Sequence, residues 1–240
     1  MTIDPETLDY AMFDTQDFVN IILQRSDVLS DIPGSGKLIK GWSTGETAPL
    51  LAVARDKNRV LAQRAVADIA AEFTALRGLL DQAPPGTIAD IGCGYGFFDL
   101  FAARMYGARV HLIDLETNSL THFGFNRQGA AYSNLQKAGQ FLTRNGVAAE
   151  NITLSNPERD DLSTIGPVDL AVSFLACGFH FPVDVYMEFF ATNVARNGRI
   201  LLDLRHARRA QQVETLSSLG RVEVLSERSN RARVLVTKGA

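Results

Sequence analysis

A short glycine-rich stretch is the part of the sequence best suited to bind a ligand. A β-prone run ends near Asp90 and is followed by glycines at alternate positions, Gly92, Gly94 and Gly96. Helix-forming residues begin at Phe97, so the pattern predicts a strand, a tight turn and a helix. Glycine permits positive φ and has no Cβ to block a ligand, while the first amides of the helix are free to donate. The sequence therefore predicts a site for a flat or polar ligand at this turn.

The residues around the turn argue against two common nucleotide-binding motifs. A dinucleotide fingerprint needs a third small residue where Phe97 stands, and a P-loop needs a Gly-Lys-Ser/Thr sequence that the turn lacks. Elsewhere, Gly36-Lys37 has Asp31 in place of the first P-loop glycine and Leu38 in place of the hydroxyl residue. The carboxylate of Asp90 suits an ammonium group better than a pyrophosphate, because like charges repel in a partly dry cleft.

A second acidic residue lies at a spacing typical of nucleoside recognition. Asp114 follows the apolar run Arg109–Ile113 and lies eighteen residues after Gly96. In Rossmann-like sites a strand-end acid meets the ribose hydroxyls at an offset of about twenty residues. A carboxylate there can accept from both hydroxyls of the sugar. Glu116 is a weaker candidate, since a charge at a helix start also explains it.

The segment Asp90–Gly96 resembles the first motif of class I S-adenosylmethionine-dependent methyltransferases, Asp/Glu-x-Gly-x-Gly-x-Gly, at every fixed position. The resemblance implies S-adenosylmethionine as the cofactor, with the glycine turn and its leading acid at the methionine end and Asp114 at the ribose. It also implies that the adenine lies near Asn156, after the third predicted strand, where neighbouring acids that only cap helices are the alternative. Leu115 and Phe174 complete the predicted cofactor site.

Residues after the fourth and fifth predicted strands are candidates for the chemical step. In the resembled family the segment after the fourth strand meets the methyl acceptor, and here it contains His180, whose imidazole suits a general base. Packing between Phe179 and Phe181 is the alternative explanation of this histidine. Arg205 and His206 follow the fifth strand, where they either bind an acidic or polyhydroxyl acceptor or are solvated.

The connection between the second and third predicted strands, residues 117–147, is longer than a crossover requires. It includes the aromatic segment 122–127 and a predicted helix over residues 130–144. Long loops in compact domains often carry function. Tyr132 therefore has two interpretations: it reaches the cleft and contacts the acceptor, or it belongs to a surface helix.

The order of elements predicts an α/β protein. Strands and helices alternate over residues 83–240 and end in a hairpin around Ser229-Asn230. With the resemblance, this implies a Rossmann-like methyltransferase fold, a mostly parallel seven-stranded sheet with an antiparallel C-terminal strand. Residues 1–82 predict a helical N-terminal extension, with helices over 17–29 and 55–80. Between them, residues 31–47 predict a loop over the cleft, in which Trp42 lines a pocket or plugs the domain junction.

Composition limits the partners and the location. The 240 residues carry a net charge of −3, so no basic excess attracts a nucleic acid. Two cysteines, Cys93 and Cys177, allow no disulfide framework and have no metal-ligand spacing. An acidic N-terminus and the lack of a long apolar run predict a cytoplasmic protein without a membrane partner. Metal-dependent O-methyltransferases of this fold have an Asp-Asn pair where this chain has Asp203-Leu204, so we expect no metal.

The sequence thus favours an enzyme that transfers a methyl group from S-adenosylmethionine to a hydroxyl of a small polar acceptor. The run Gly178–Val183 with Tyr186 is similar to bacterial methyltransferases described as acting on sugars or small-molecule hydroxyls, so a sugar is one candidate. Cys177 lies where that group is expected to have tryptophan. Two alternatives stay open: N-methylation of a small molecule or protein, and a non-catalytic S-adenosylmethionine-binding regulatory subunit. The sequence does not predict the oligomeric state.

Overall fold

A seven-stranded sheet forms the centre of the molecule, for which a computed structural model describes residues 3–116 and 132–239. Its strands are β1 (Thr87–Ile91), β2 (Arg109–Ile113), β3 (Ile152–Ser155), β4 (Val168–Ser173), β5 (Val194–Arg205), β6 (Gly220–Glu227) and β7 (Arg231–Lys238). They lie in the order β3-β2-β1-β4-β5-β7-β6. Strand β7 is antiparallel to both neighbours, and the other strand pairs are parallel. The predicted mostly parallel sheet with an antiparallel C-terminal strand is confirmed.

Helices cover both faces of this sheet. Those of the described residues are α1 (Thr15–Gln24), α2 (Ser35–Ser43), α3 (Ala48–Gln82), α4 (Phe97–Tyr106), α5 (Leu135–Arg144), α6 (Met187–Asn193) and α7 (Arg209–Ser217). Strand β1 is buried from Ile88 to Ile91, as expected of a central parallel strand with helices on both sides. One hydrophobic cluster joins α1, α3, α4 and α5 to one face of the sheet, and a second joins α6 and α7 to the other.

The N-terminal helices share their core with the sheet. Ile22 of α1 and Leu61 of α3 are fully buried in the same cluster as Leu100 of α4 and Leu112 of β2. This packing places the end of α1 beside the carboxyl ends of β1 and β2. The domain boundary at residue 82 stays a prediction. Among the described residues, no helix combines the length and the apolar character needed to cross a bilayer.

One expectation about the N-terminal region was wrong. Residues 31–47 do not form a loop throughout, because α2 occupies Ser35–Ser43. Its apolar residues Leu38, Ile39 and Trp42 are spaced so that they lie on one face of the helix, and they pack against the core. This tertiary packing outweighs the low helix propensity of the glycines in the segment.

Several element boundaries also differ from the sequence predictions. Helix α1 ends at Gln24, and a short 3-10 turn follows to Leu29, while α3 begins at Ala48 and bends at Asn58, whose φ is 22°. Helix α5 begins only at Leu135, where the side chain of Asn134 accepts from the backbone of Lys137 at 3.0 Å and caps the first turn. Residues 117–131, including segment 122–127 and the predicted helix start, lie outside the described residues.

Candidate active site

The glycine turn after β1 has the predicted backbone conformation. Gly92, Gly94 and Gly96 all have positive φ, between 59° and 76°, and α4 follows directly. A Cβ on Gly92 would lie 2.3 Å from the Cβ of Ala176, in the segment after β4. Such a contact is far too short, so this position requires glycine for close packing as well as for its backbone angle.

Asp114 is held against this turn. Its Oδ2 accepts a 2.7 Å hydrogen bond from the backbone N–H of Gly94, which joins the end of β2 to the turn after β1. Burial raises the pKa of Asp114 to about 7, although hydrogen bonds from Gly94 and Ser133 oppose the increase. The carboxyl group is therefore positioned by the backbone and is costly to ionise, so a ligand that donates hydrogen bonds to it would favour its charged form.

The carboxyl group of Asp90 lies next to a second buried carboxyl group, that of Asp99. Asp99, in the first turn of α4, is fully buried, and Asp90 is only 4% exposed. Neither side-chain oxygen of Asp99 meets an N–H or O–H donor in the described part of the chain, but Asp90 lies within hydrogen-bond reach. Two ionised carboxylates repel each other in a buried site, so this arrangement favours a proton shared by the pair. Burial and the neighbouring acid raise the pKa of Asp90 well above its ordinary value.

A cavity of about 170 Å³ brings most of the predicted site residues together. The predicted residues on its wall are Asp90, Gly92, Gly94, Asp114, Leu115, Tyr132, Phe174 and His180. The same wall contains residues of the N-terminal helices that sequence reasoning missed, namely Ile21, Leu23, Gln24, Arg25, Ala65, Ile69 and Glu72. The described wall does not include Gly96, Asn156, Arg205 or His206.

His180 lies on the cavity wall and is partly buried. Its backbone N–H donates to the carbonyl of Ala176 at 2.8 Å, and its ring packs edge-on against Phe179 at 5.0 Å between centroids. The position on the cavity wall is compatible with the first interpretation of this histidine, and the packing on Phe179 agrees in part with the alternative. Its role as a base stays a prediction.

Arg205 and His206 lie away from this wall. The Nε of Arg205 donates to the carbonyl of Phe179 at 2.8 Å, and the guanidinium stacks on the ring of that residue. His206 is 44% exposed and lies 3.7 Å from Glu227. Arg205 therefore braces the segment that carries His180, and neither residue is brought to the described cavity.

Asn156 makes hydrogen bonds that stabilise the turn after β3. Its Oδ1 accepts from the backbone of Glu158 at 3.0 Å, and its own backbone N–H donates to Asp160 at 2.7 Å. The side chain is buried, and it lines neither the first cavity nor a second cavity of about 490 Å³. That second cavity adjoins the first at Leu115, Phe181 and Tyr186, which line both. The adenine contact of Asn156 itself stays a prediction.

Gln24, a wall residue that sequence reasoning missed, lies against the glycine turn. Its Oε1 lies 2.6 Å from the position that a Cβ on Gly94 would occupy, and its Nε2 donates to the carbonyl of Tyr132. Trp42 of α2 packs edge-on against Tyr132, with 5.3 Å between ring centroids. The N-terminal region thus covers the turn. A sequence signal was available, because the polar residues Asp17, Asn20 and Gln24 recur at steps of three and four on one face of α1, among the apolar residues Phe18–Val19 and Ile21–Leu23.

Comparison with known proteins bears on the fold. No family model and no curated protein sequence matches the chain. A solved structure of a candidate O-methyltransferase from Nostoc punctiforme PCC 73102 superposes on 92% of this chain and 72% of its own, with a TM-score of 0.54 and 14% sequence identity. A candidate O-methyltransferase from Klebsiella pneumoniae gives a TM-score of 0.50 at 16% identity, over 71% of this chain and 80% of its own.

A third structure agrees with these two. An S-adenosylmethionine-dependent O-methyltransferase from Thermotoga maritima covers 71% of this chain and 65% of its own, with a TM-score of 0.50 and 17% identity. Identities this low establish the fold and leave the methyl acceptor undetermined. The strand order, the glycine turn and these structural likenesses together show that the chain has the class I S-adenosylmethionine-dependent methyltransferase fold.

Proposed function

We propose that the chain is a methyltransferase that binds S-adenosylmethionine across the carboxyl ends of β1 and β2 and methylates a hydroxyl of a small polar acceptor. The convergence of Asp90 and Asp114 on one cavity beside the glycine turn carries this proposal. Two carboxyl groups, one at the end of each strand, suit a ligand with a cationic amine at one end and a sugar diol at the other. The fold supports the same cofactor.

Each acid then has a separate role. Asp90 accepts from the ammonium of the methionine part, and the positive charge favours the ionised form of the Asp90–Asp99 pair. Asp114, already oriented by Gly94, accepts from the ribose hydroxyls. When bound, the cofactor supplies a methyl group activated by its sulfonium. Aromatic residues such as Phe98 and Phe174 make part of the wall apolar, which would limit the access of water to that region.

His180 is the proposed base. It lies on the wall of the same cavity, on a segment held by Ala176 and braced by Arg205. A neutral imidazole there would accept the proton of the acceptor hydroxyl, while the bound cofactor would supply the methyl group through cleavage of its carbon–sulfur bond and leave as S-adenosylhomocysteine. Because α1 and α3 contribute part of the cavity wall, we expect the site to accept a small molecule rather than a protein or nucleic acid chain.

A methyl-transfer screen tests the reaction. Purified protein with S-adenosylmethionine is offered small hydroxyl and amine compounds, and formation of S-adenosylhomocysteine is measured. We expect turnover with hydroxyl compounds. His180→Gln should lower kcat by about 100-fold or more and abolish the acidic limb of the pH profile, whereas His206→Gln, at an exposed histidine, should change neither.

Three outcomes would contradict this proposal. Turnover of amines alone would indicate N-methylation. An unchanged pH profile in His180→Gln would remove the base role. Binding of the cofactor without turnover of any compound would favour a regulatory subunit.

A further inference from the structure

A cluster of five charged side chains begins at the wall that α1 and α3 contribute to the cavity and extends behind it. Its members are Arg25, Glu72, Asp203, Arg231 and Arg233, and none of these side chains is more than 16% exposed. Charges buried to this extent require partners, because removal from water costs several kcal/mol per ion. The ion pairs within this charged cluster therefore show which charge is not compensated.

Two arginines of β7 compensate the two carboxylates. Asp203 accepts from the Nε of Arg233 at 2.7 Å and from Arg231 at 3.2 Å. Glu72 accepts from Arg231 at 2.9 Å and from Arg25 at 3.2 Å. Three guanidinium groups face two carboxylates, so the charged cluster retains one positive charge.

The uncompensated positive charge lies on the side of the charged cluster that faces the cavity. Arg25 and Glu72 are the cluster members on the described wall, and both arginines of β7 lie behind them. Burial alone would raise the pKa of Glu72, but the nearby charges of Arg25 and Arg233 outweigh burial and lower the pKa to about 2. The carboxylate of Glu72 therefore stays ionised. Asp68 of α3 also attracts Arg25, but it is exposed, and water screens its charge.

Arg25 has hydrogen-bond donors to spare. A guanidinium has five N–H groups, and among the described residues its hydrogen-bond acceptor is Glu72, reached through Nη2. Glu72 is itself fixed by Arg231, so Arg25 is held in place on the wall. A mostly buried guanidinium of this kind suits a planar anion with two oxygens.

The charge balance favours a singly charged anion. One excess positive charge matches a carboxylate, whereas a phosphate dianion would place a second negative charge close to Glu72, where repulsion is costly. The cavity also contains His180 and the aromatic rings of Phe98 and Phe174. A small acceptor could therefore meet the base and Arg25 in one cavity.

We propose that the methyl acceptor carries a carboxylate group and that Arg25 binds this group, an assignment that rests on the proposed function. The acceptor class is then a small hydroxy acid, with its hydroxyl toward His180 and its carboxylate toward the junction of α1 and α3. Glu72 acts as a positioning residue for Arg25.

Calorimetry on protein saturated with S-adenosylhomocysteine tests this assignment. The probes are 4-hydroxybenzoate and glycolate, with 4-hydroxybenzamide and glycolamide as uncharged counterparts and phenyl phosphate as the dianion. We expect at least one acid to bind and its amide to bind at least about tenfold more weakly. Arg25→Gln should weaken binding of the acid by about tenfold or more, and Arg25→Lys should weaken it less. Arg55→Gln, at an exposed arginine of α3, should leave the affinity for the acid unchanged.

The proposal is overturned if acids and amides bind alike, if Arg25→Gln binds the acid as well as the unaltered protein does, if phenyl phosphate binds more tightly than the acids, or if no acid binds. S-adenosylhomocysteine binding to each variant is measured first. Loss of that binding in the unaltered protein would instead contradict the proposed function, so the two failures are distinguishable. Arg25→Lys keeps a cation next to Glu72, so it controls for loss of folding.

Discussion

The hydroxyl of Tyr95 donates a 2.8 Å hydrogen bond to Oδ1 of Asp17 and joins the glycine turn to the first helix. Asn20 donates to the same hydroxyl at 3.1 Å, and Lys137 of α5 pairs with the other oxygen of Asp17. The bond is buried on both sides. The N-terminal helix is therefore attached to the turn itself, which explains how Gln24 comes to lie over it.

Removing the hydroxyl of Tyr95 should loosen this attachment. Tyr95→Phe leaves a buried carboxylate with one donor fewer, and we expect a loss of about 1–3 kcal/mol in the free energy of unfolding, measured in urea. Cofactor affinity should fall as well, because Gln24 loses its support. Tyr106→Phe is the matched control, since that hydroxyl bonds to the exposed Asp81, and it should change stability much less. Equal losses in both variants would contradict this role of Tyr95.

Gly92 should tolerate no side chain. Gly92→Ala forces a contact with Ala176 in addition to an unfavourable backbone angle. Gly107→Ala shares the positive φ, but its Cβ would meet open space. We expect thermal or urea unfolding to show Gly92→Ala less stable than Gly107→Ala by about 1–3 kcal/mol. If the two variants were equally stable, the close contact between turn and β4 segment would not exist.

Stability should depend on the ionisation of Asp114. Burial raises its pKa to about 7, above that of the unfolded chain, so folding takes up a proton between about pH 4 and pH 7 and stability falls as pH rises through this window. We expect the free energy of unfolding of the ligand-free protein to fall by about 1–3 kcal/mol from about pH 5 to about pH 8. Asp114→Asn should reduce that fall, and Asp56→Asn, at an exposed site, should not. If the free energy of unfolding fell equally with pH in Asp114→Asn and Asp56→Asn, a group other than Asp114 would be responsible for the pH dependence.

Cofactor binding should release a proton from the Asp90–Asp99 pair. An ammonium group at Asp90 favours the doubly ionised pair, so wild-type affinity should rise with pH toward neutrality. In Asp99→Asn the amide can donate to Asp90 without a shared proton. Calorimetry in buffers of different ionisation enthalpy should therefore detect fewer released protons for this variant. Equal proton release would argue against the shared proton.

The parts of the site that the sequence predicted are those encoded locally. The turn at Gly92–Gly96 and the acid Asp114 follow directly from strands, and glycine at fixed spacing specifies the local backbone angles. The same holds for the closing hairpin of β6 and β7, which has a turn sequence between two β-prone runs.

The remaining parts depend on contacts between distant segments. Arg25 and Glu72 are 47 residues apart, and the second of them meets Arg231 only after the sheet has formed. Local propensity also predicted a loop over 31–47, whereas Leu38 and Trp42 acquire helical packing from the core. Arg205 is the last residue of β5, where a site residue is expected, but its side chain donates to the carbonyl of Phe179 and supports the segment that contains His180.

The most direct test is calorimetric titration of the protein with S-adenosylmethionine, with NADH as a nucleotide that carries a pyrophosphate. Asp90→Asn combined with Asp114→Asn serves as the site variant, and Asp56→Asn combined with Glu214→Gln as its charge-matched control at two exposed acids. We predict binding of S-adenosylmethionine to the unaltered and control proteins, at least about a hundredfold weaker binding to the site variant, and no binding of NADH. Tight binding of NADH, or undiminished S-adenosylmethionine affinity in the site variant, would contradict the proposed cofactor site.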